Sequence, residues 1–313
     1  MIHASEILPT IGGWLKAADL KPGDILYDQF GRPCYITDVR HDDSPLWKVT
    51  TRSEDTIRIS MDQKLVNARQ RRNTPTKQIK PQPLSQLTKT HRIKNVQTID
   101  HNPTDVPIDP YLFGLWFFYQ NSVPQDPITV AVKEKFYNKA MKAINWSGFS
   151  VVDTYQRKLS GKNGKSQYRL KLDPPIWTKL NRHYYKKPDL IPDEYLYGSL
   201  QQRTELLESL FAAYRQCWGY CRNGHHYWVK FGNKKEKLSM QVAELARSCG
   251  HRIQLVMRDG HQHFLLPRFK TSNFNSSIRH VEEYGTKPAV DLRVNSPDGT
   301  FLVTENFIAL CQN

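Results

Sequence analysis

The chain is short of acid. Across 313 residues, 30 Asp and Glu stand against 45 Lys and Arg, a formal net charge of +15 at pH 7. That deficit biases the surface toward polyanions, and nucleic acid is the first partner it suggests. Long apolar runs are missing too. No stretch approaches the roughly 20 apolar residues that a membrane span needs, and no basic amphipathic helix with a strong apolar face offers a membrane-surface alternative. The start, "MIHASEILPTIGGW", has no basic segment followed by a clean apolar stretch, so it does not read as a secretion signal. Cysteine is scarce and odd in number. Cys34, Cys217, Cys221, Cys249 and Cys311 lack disulfide-like spacing, which suggests a reducing, cytoplasmic compartment. Cys217 and Cys221 precede His225 and His226, but CxxxC fits no common zinc template; buried cysteines are expected there, with no metal site.

What is present is enough apolar matter for a sizeable core, at 39% hydrophobic and 11% aromatic. Residues 14 to 66 read as short β-segments, with hairpins in "ILYDQFGRPCYITDVR" and "WKVTTRSEDTIRIS". From Arg69 to about Pro107 large apolar residues thin out, and a connecting segment is expected, with a short helix at Leu84 to Lys89. At Asp109 the pattern becomes helical: Pro110 suits a first turn, and Leu112, Leu115, Trp116 and Tyr119 recur at helical spacing. "ITVAV", a helix through "KEKFYNKAMKAINWSG", and the strands "FSVVDTYQRK" and "SQYRLKLD" follow, the last two joined by a turn at Gly161 to Gly164. A second round then begins about 95 residues on, with the helix "SLQQRTELLESLFAAY", the strand "HHYWVKFG" and the helix "KEKLSMQVAELARSCG", capped by Gly250. From Ser277 the tail returns to short β-runs around a "PDG" turn.

This order, together with its letters, resembles an intein carrying an inserted LAGLIDADG homing endonuclease, over essentially the whole chain. "ILPTIGGWLKAADLKPGDILYDQFGRPCYITDV" is similar to the first splicing block, with its T-x-x-GW and L-x-PGD. "SEDTIRISMDQKL" is similar to the second block, whose T-x-x-H becomes Ser60-Met61-Asp62-Gln63. "PIDPYLFGLWFFYQNS" and "LIPDEYLYGSLQQRTELLESLFAAY" resemble the two endonuclease helices, and "AVDLRVNSPDGTFLVTENFIALCQN" the terminal splicing blocks. The closest flavour is of inteins in phage terminase and helicase genes. The resemblance implies a mixed fold: an all-β Hint horseshoe formed by both chain ends, and an inserted α/β LAGLIDADG-like domain with pseudo-two-fold duplication. The boundaries read from it are 1–100 and 273–313 for the Hint parts and 105–272 for the insert.

The chemistry that the resemblance implies is mostly missing. Splicing needs a thiol or hydroxyl on the first residue, because only a nucleophilic side chain converts the amide to an ester-type bond. That position holds Met1. The second-block histidine that protonates the departing nitrogen is Gln63, and the penultimate histidine is Gln312. The histidine or acid of the penultimate block falls on Gly299, with Thr300 one residue on. Asn313 is the one apparent survivor, with no following peptide bond in this sequence to cleave. In the endonuclease part, the helices would pack through Gly114 and Ser209, and the acids that share divalent cations over the scissile phosphates fall on Tyr119 and Tyr214. Neutral phenols are poor magnesium ligands, so no cofactor is expected unless residual nuclease activity brings Mg²⁺.

The expected nucleic-acid face comprises Arg169 and Lys171, alternating on one strand face, then Lys230, Lys234 and Lys235, and the hairpin residues Arg157, Lys158, Lys162 and Lys165. The expectation is therefore a splicing- and cleavage-deficient protein kept for binding double-stranded DNA in a bacterial or phage-infected cell. It would be monomeric, because both endonuclease helices lie in one chain. Two rivals stand beside it: a protein-interaction subunit that uses the former DNA surface within a complex, and residual nuclease or self-processing activity.

Overall fold

The computed structural model describes residues 1–313 apart from 53–54, 70–76, 89, 95–97, 120–128, 159–165, 174–189, 214–218, 221–225, 231–235, 252–253, 259–260, 268–273 and 313. The chain forms two compact units: one of 1–100, 247–254 and 267–313, the other of 101–246 and 255–266.

The first unit is all β and is woven from both ends of the chain. Its strands are β1 (Ile2–His3), β2 (Ile7–Thr10), β3 (Gly13–Lys16), β4 (Ile25–Tyr27), β5 (Pro33–Thr51), β6 (Thr56–Ile59), β7 (Lys64–Arg69), β8 (Lys77–Pro83) and β9 (His91–Lys94), then β17 (Phe274–Val294), β18 (Thr300–Val303) and β19 (Ile308–Cys311). The main sheet runs β18-β19-β7-β9-β17-β1-β6-β5-β4, with β8 on β7. β17 also pairs with β5 from Ile278 opposite Thr51 to Val294 opposite Ile36, so that β17, β1, β6 and β5 close a ring. Inside lie apolar side chains from both ends, including Ile2, Leu8, Ile57, Val290, Phe301 and Leu310. The expected hairpins form: β4 and β5 flank a turn in which Asp28 accepts the Phe30 and Arg32 N–H groups. The tail's "PDG" turn closes with Gly299 N–H donating to Ser296.

Three expectations need correction here. The segment read as a connector supplies β8 and β9, both paired with β7. Their lysines, glutamines and prolines conceal an alternation in which His91 and Ile93 are buried and Arg92 is not. The tail's first run is not short either, since β17 is a single strand of 21 residues. At Leu84 the expected helix is a 3-10 turn over Leu84–Gln86.

The second unit repeats one motif. In its first half, α1 (Pro110–Tyr119) is followed by β10 (Thr129–Lys133), α2 (Tyr137–Trp146), β11 (Val151–Lys158) and β12 (Ser166–Leu172), with sheet order β10-β12-β11. In its second half, α3 (Leu200–Ala213) is followed by β13 (Gly219–Tyr220), β14 (His226–Lys230), α4 (Glu236–Ser248), β15 (Gln254–Arg258) and β16 (His261–Pro267), with order β13-β14-β16-β15. Leaving aside the extra β13, both halves place the last strand between the other two. The duplication expected from the sequence is thus real, and it includes two strands, β15 and β16, that the sequence pattern leaves unassigned.

The helices α1 and α3 pack on each other at the two small residues picked out in the sequence. A Cβ on Gly114 would lie 1.8 Å from Ser209 Oγ and 3.1 Å from the Leu206 carbonyl oxygen. Ser209 is fully buried, and its hydroxyl donates to that same Leu206 carbonyl. Asp109 caps α1, its Oδ1 accepting from Tyr111 and Leu112 N–H at 2.8 and 3.1 Å. Tyr195 stacks on Phe113 at 3.9 Å between centroids and donates its hydroxyl to the Ile108 carbonyl. Gly250 ends α4 with a φ of 86°, as its sequence position suggested.

Two predictions follow from this unit. Gly114→Ala should lower its unfolding free energy by about 1–3 kcal/mol, the usual cost of overpacking, and Ser209→Gly should recover part of that loss in denaturant titration. His101 is 9% exposed, and burial, with Arg203 adding, pushes its pKa down to about 3 from the ordinary 6.5. Between these values the unfolded chain binds the proton and the folded one does not. Stability should therefore be intact above pH 6.5 and fall as pH drops toward 3, by at most about 1.4 kcal/mol per unit from this group. His101→Gln should flatten that slope in melts followed by circular dichroism.

Candidate functional site

At the end of β6, the chain turns through Ser60 to Gln63 and enters β7, with Gln63 N–H donating to the Ser60 carbonyl at 3.1 Å. This turn receives the first residue. The Met1 nitrogen donates to Ser60 Oγ at 2.9 Å and to Gln63 Oε1 at 2.8 Å, and the Ser60 N–H donates back to the Met1 carbonyl at 3.0 Å. The other end of the same side chain, Gln63 Nε2, donates to the Cys311 carbonyl at 2.7 Å. One amide, 2% exposed, therefore joins residue 1 to residue 311. Burial holds the Met1 ammonium below its ordinary pKa, against the opposing pull of Asp62 and Asp291.

Gln312 takes no part in that bridge. Its Oε1 accepts from Val294 N–H at 2.8 Å, and its own N–H donates to the Gly299 carbonyl at 2.7 Å. Gly299, at a φ of 64°, leaves no room for a side chain: a Cβ there would lie 2.8 Å from the Gln312 amide. Thr300 is fully buried and donates its hydroxyl to Asp298 Oδ1 at 2.6 Å. The Cys311 thiol donates to the Asp298 carbonyl at 3.4 Å, and burial pushes its pKa up, so it stays protonated near neutral pH. Asn313 lies outside the described residues.

Behind the 298–300 turn runs a polar chain that no sequence pattern announces. Lys94, 4% exposed, donates to Gln29 Oε1 at 2.7 Å, and Gln29 Nε2 donates to Asp298 Oδ2. Burial lowers the Lys94 pKa, while Asp298 and Asp28 favour its charge. The partners are 65 and 269 positions apart, and no local pattern links them.

In the second unit, strands β10 and β12 of the sheet β10-β12-β11 have one covered side, whereas β11 is exposed on both from Val152 to Gln156. Val130, Val132, Leu170 and Leu172 are buried, whereas Arg169 and Lys171 are exposed between them. Register sets Arg169 opposite Tyr155 and Lys171 opposite Asp153; Tyr155 is 62% exposed. Arg157 and Lys158 continue the same strand, paired with Gln167 and Ser166, and Lys230 ends β14; nothing is described of these side chains. Lys162, Lys165, Lys234 and Lys235 lie outside the described residues, as do Tyr214, Cys217, Cys221 and His225. Tyr119 is the last residue of α1, its side chain likewise undescribed.

No family model and no curated protein matches the chain. Among solved structures, the crystal structure of the MchDnaB-1 intein aligns over all of both chains, with 8% identity and a TM-score of 0.35. The chain is similar to inteins. The splicing domain of the Msm DnaB1 intein, in a structure bound with zinc, gives the same identity, TM-score and full coverage. The homing endonuclease I-DmoI, in complex with DNA and Mn, aligns over 51% of this chain and 89% of its own, with 14% identity and a TM-score of 0.31.

The bridge through Gln63 makes a direct prediction. Gln63→Leu leaves the Met1 nitrogen and the Cys311 carbonyl without their buried partner, so unfolding free energy should fall by about 1–3 kcal/mol in urea titration. Gln312→Leu, which strands only the Val294 N–H, should cost less.

Proposed function

We propose that this chain binds double-stranded DNA through the open face of β10-β12-β11, and that it neither splices nor cleaves. The observation that carries the reading is the exposed pair Arg169 and Lys171 on β12, whose opposite side buries Leu170 and Leu172. Cations spaced two residues apart on a strand project on one side and meet successive phosphates, while Tyr155 beside Arg169 offers an aromatic surface to the grooves. Asp153, opposite Lys171, offsets part of that charge. The chain's net charge of +15 adds long-range attraction.

The absence of splicing follows from the side chains at positions 1, 63 and 312. A thioether at residue 1 has no proton to lose, and amides at 63 and 312 relay none near neutral pH. The absence of cleavage follows from phenols at positions 119 and 214, where the family's acids would hold metal ions; these neutral groups leave hydrated magnesium without a ligand. Such a protein acts in the cytoplasm as a monomer, by occupying DNA or by tethering a nucleic-acid machine to it.

The test is a titration into labelled duplex DNA at two salt concentrations with magnesium present, the same samples then being run on a denaturing gel. Affinity should fall steeply with salt, and the double variant Arg169→Ala, Lys171→Ala should reduce the log–log slope by about 2, near 0.9 for each phosphate left without its cation. Strands should stay uncut. Nicked strands would overturn the cleavage-deficient reading, and an unchanged slope would overturn the face. No binding at low salt would give the surface to a protein partner instead.

A further inference from the structure

The second unit contains a cleft of about 550 Å³ where α1 and α3 begin, within the range of small-ligand sites. It is lined by Lys139, Lys142 and Trp146 of α2, by Gln201 and Glu205 of α3, and by Tyr111 of α1 and its cap Asp109. An ion pair from Lys139 to Glu208, one turn beyond Glu205, ties α2 to α3. Lys142 and Glu205, however, line the same space, and neither has an ion-pair partner among the described residues.

Two further features point to an occupant. Trp146 is 70% exposed, an uncovered flat apolar ring on the wall. Asp109 and Glu205 both line the cleft, and Glu205 adds to burial in raising the Asp109 pKa while Lys139, itself paired with Glu208, opposes it, so two carboxylates share this side of the cleft. A positive group there would relieve the crowding, and Lys142 on α2 would take a negative one.

We propose that this cleft binds a small zwitterion: an ammonium held by Glu205 and Asp109, an anionic group held by Lys142, and a flat apolar body laid on Trp146. The site is separate from the DNA face, since none of its residues lies on β10, β11 or β12.

Isothermal titration calorimetry with three indole probes tests this. Free tryptophan carries both charges, tryptamine only the ammonium and indole-3-propionate only the carboxylate. Tryptophan should bind, and each singly charged analogue should bind at least about tenfold more weakly. Lys142→Ala should bring tryptophan down to the affinity of tryptamine, Glu205→Gln to that of indole-3-propionate, and Trp146→Leu should weaken all three. Lys142 is exposed and Glu205 half-buried, so thermal midpoints matching the parent protein will separate lost binding from lost folding. Absence of binding by any probe, equal affinity for all three, or variants at 142 and 205 that leave the order unchanged would each overturn the proposal. The variant Arg169→Ala, Lys171→Ala should bind tryptophan as the parent does, so that this result and the DNA result fail or stand separately.

Discussion

The pairing of β17 with β5 is the constraint on which the first unit depends. β5 belongs to the chain's beginning and β17 to its end, and they run antiparallel from Ile36 opposite Val294 to Thr51 opposite Ile278. Each is too long for one sheet face alone. β17 therefore also takes β1 along Ala289 and Val290, and β9 along Phe274 to Ser277. A strand shared in this way brings the apolar alternations of both chain ends to one core, where Ile2 and Ile57 meet Val290 and Leu292. A register slip of one residue would turn all of them outward, so the hydrophobic pattern at the two ends must agree although more than two hundred residues separate them. The bridge at Gln63 sits on this frame. Without β1 held between β6 and β17, Met1 would not reach the turn at Ser60.

Much of the frame was legible because its signals are local. The β4–β5 and β5–β6 hairpins, the starts of α1 and α3, and the Gly250 stop each rest on a few neighbouring residues. The α1–α3 crossing was legible for a different reason: the resemblance implied that the two helices pack through Gly114 and Ser209, and there they meet. β8 and β9 were hidden because their pairing with β7 and β17, not large apolar side chains, specifies them as strands. β15 and β16 went unassigned because Arg258 and the polar run His261–His263 leave neither strand a strict apolar alternation.

The candidate sites divide along the same line. The positions of Met1, Gln63 and Gln312 could be read in the sequence, as could the alternation of Arg169 and Lys171. Their partners could not, since hydrogen bonds such as Gln63 to Cys311 or Lys94 to Gln29 join residues that only the closed ring brings together. Nor could the cleft lined by α2 and α3, whose residues lie some sixty positions apart in the chain.

The choice of an amide at position 63 has a physical logic of its own. The Met1 nitrogen is a donor and the Cys311 carbonyl an acceptor, so whatever lies between them must accept on one side and donate on the other. A glutamine does both through one planar group, whatever the pH. An imidazole could fill the same role in only one tautomer, and on protonation it would present two donors, one of them to the Met1 nitrogen. Burial at 2% exposure disfavours that charged form, and a group that must shuttle a proton there would have to carry it against the desolvation cost. An amide therefore secures the junction of the two chain ends most firmly when the junction has no proton to move. Stability and proton transfer place opposite demands on this position, and Gln63 meets the first.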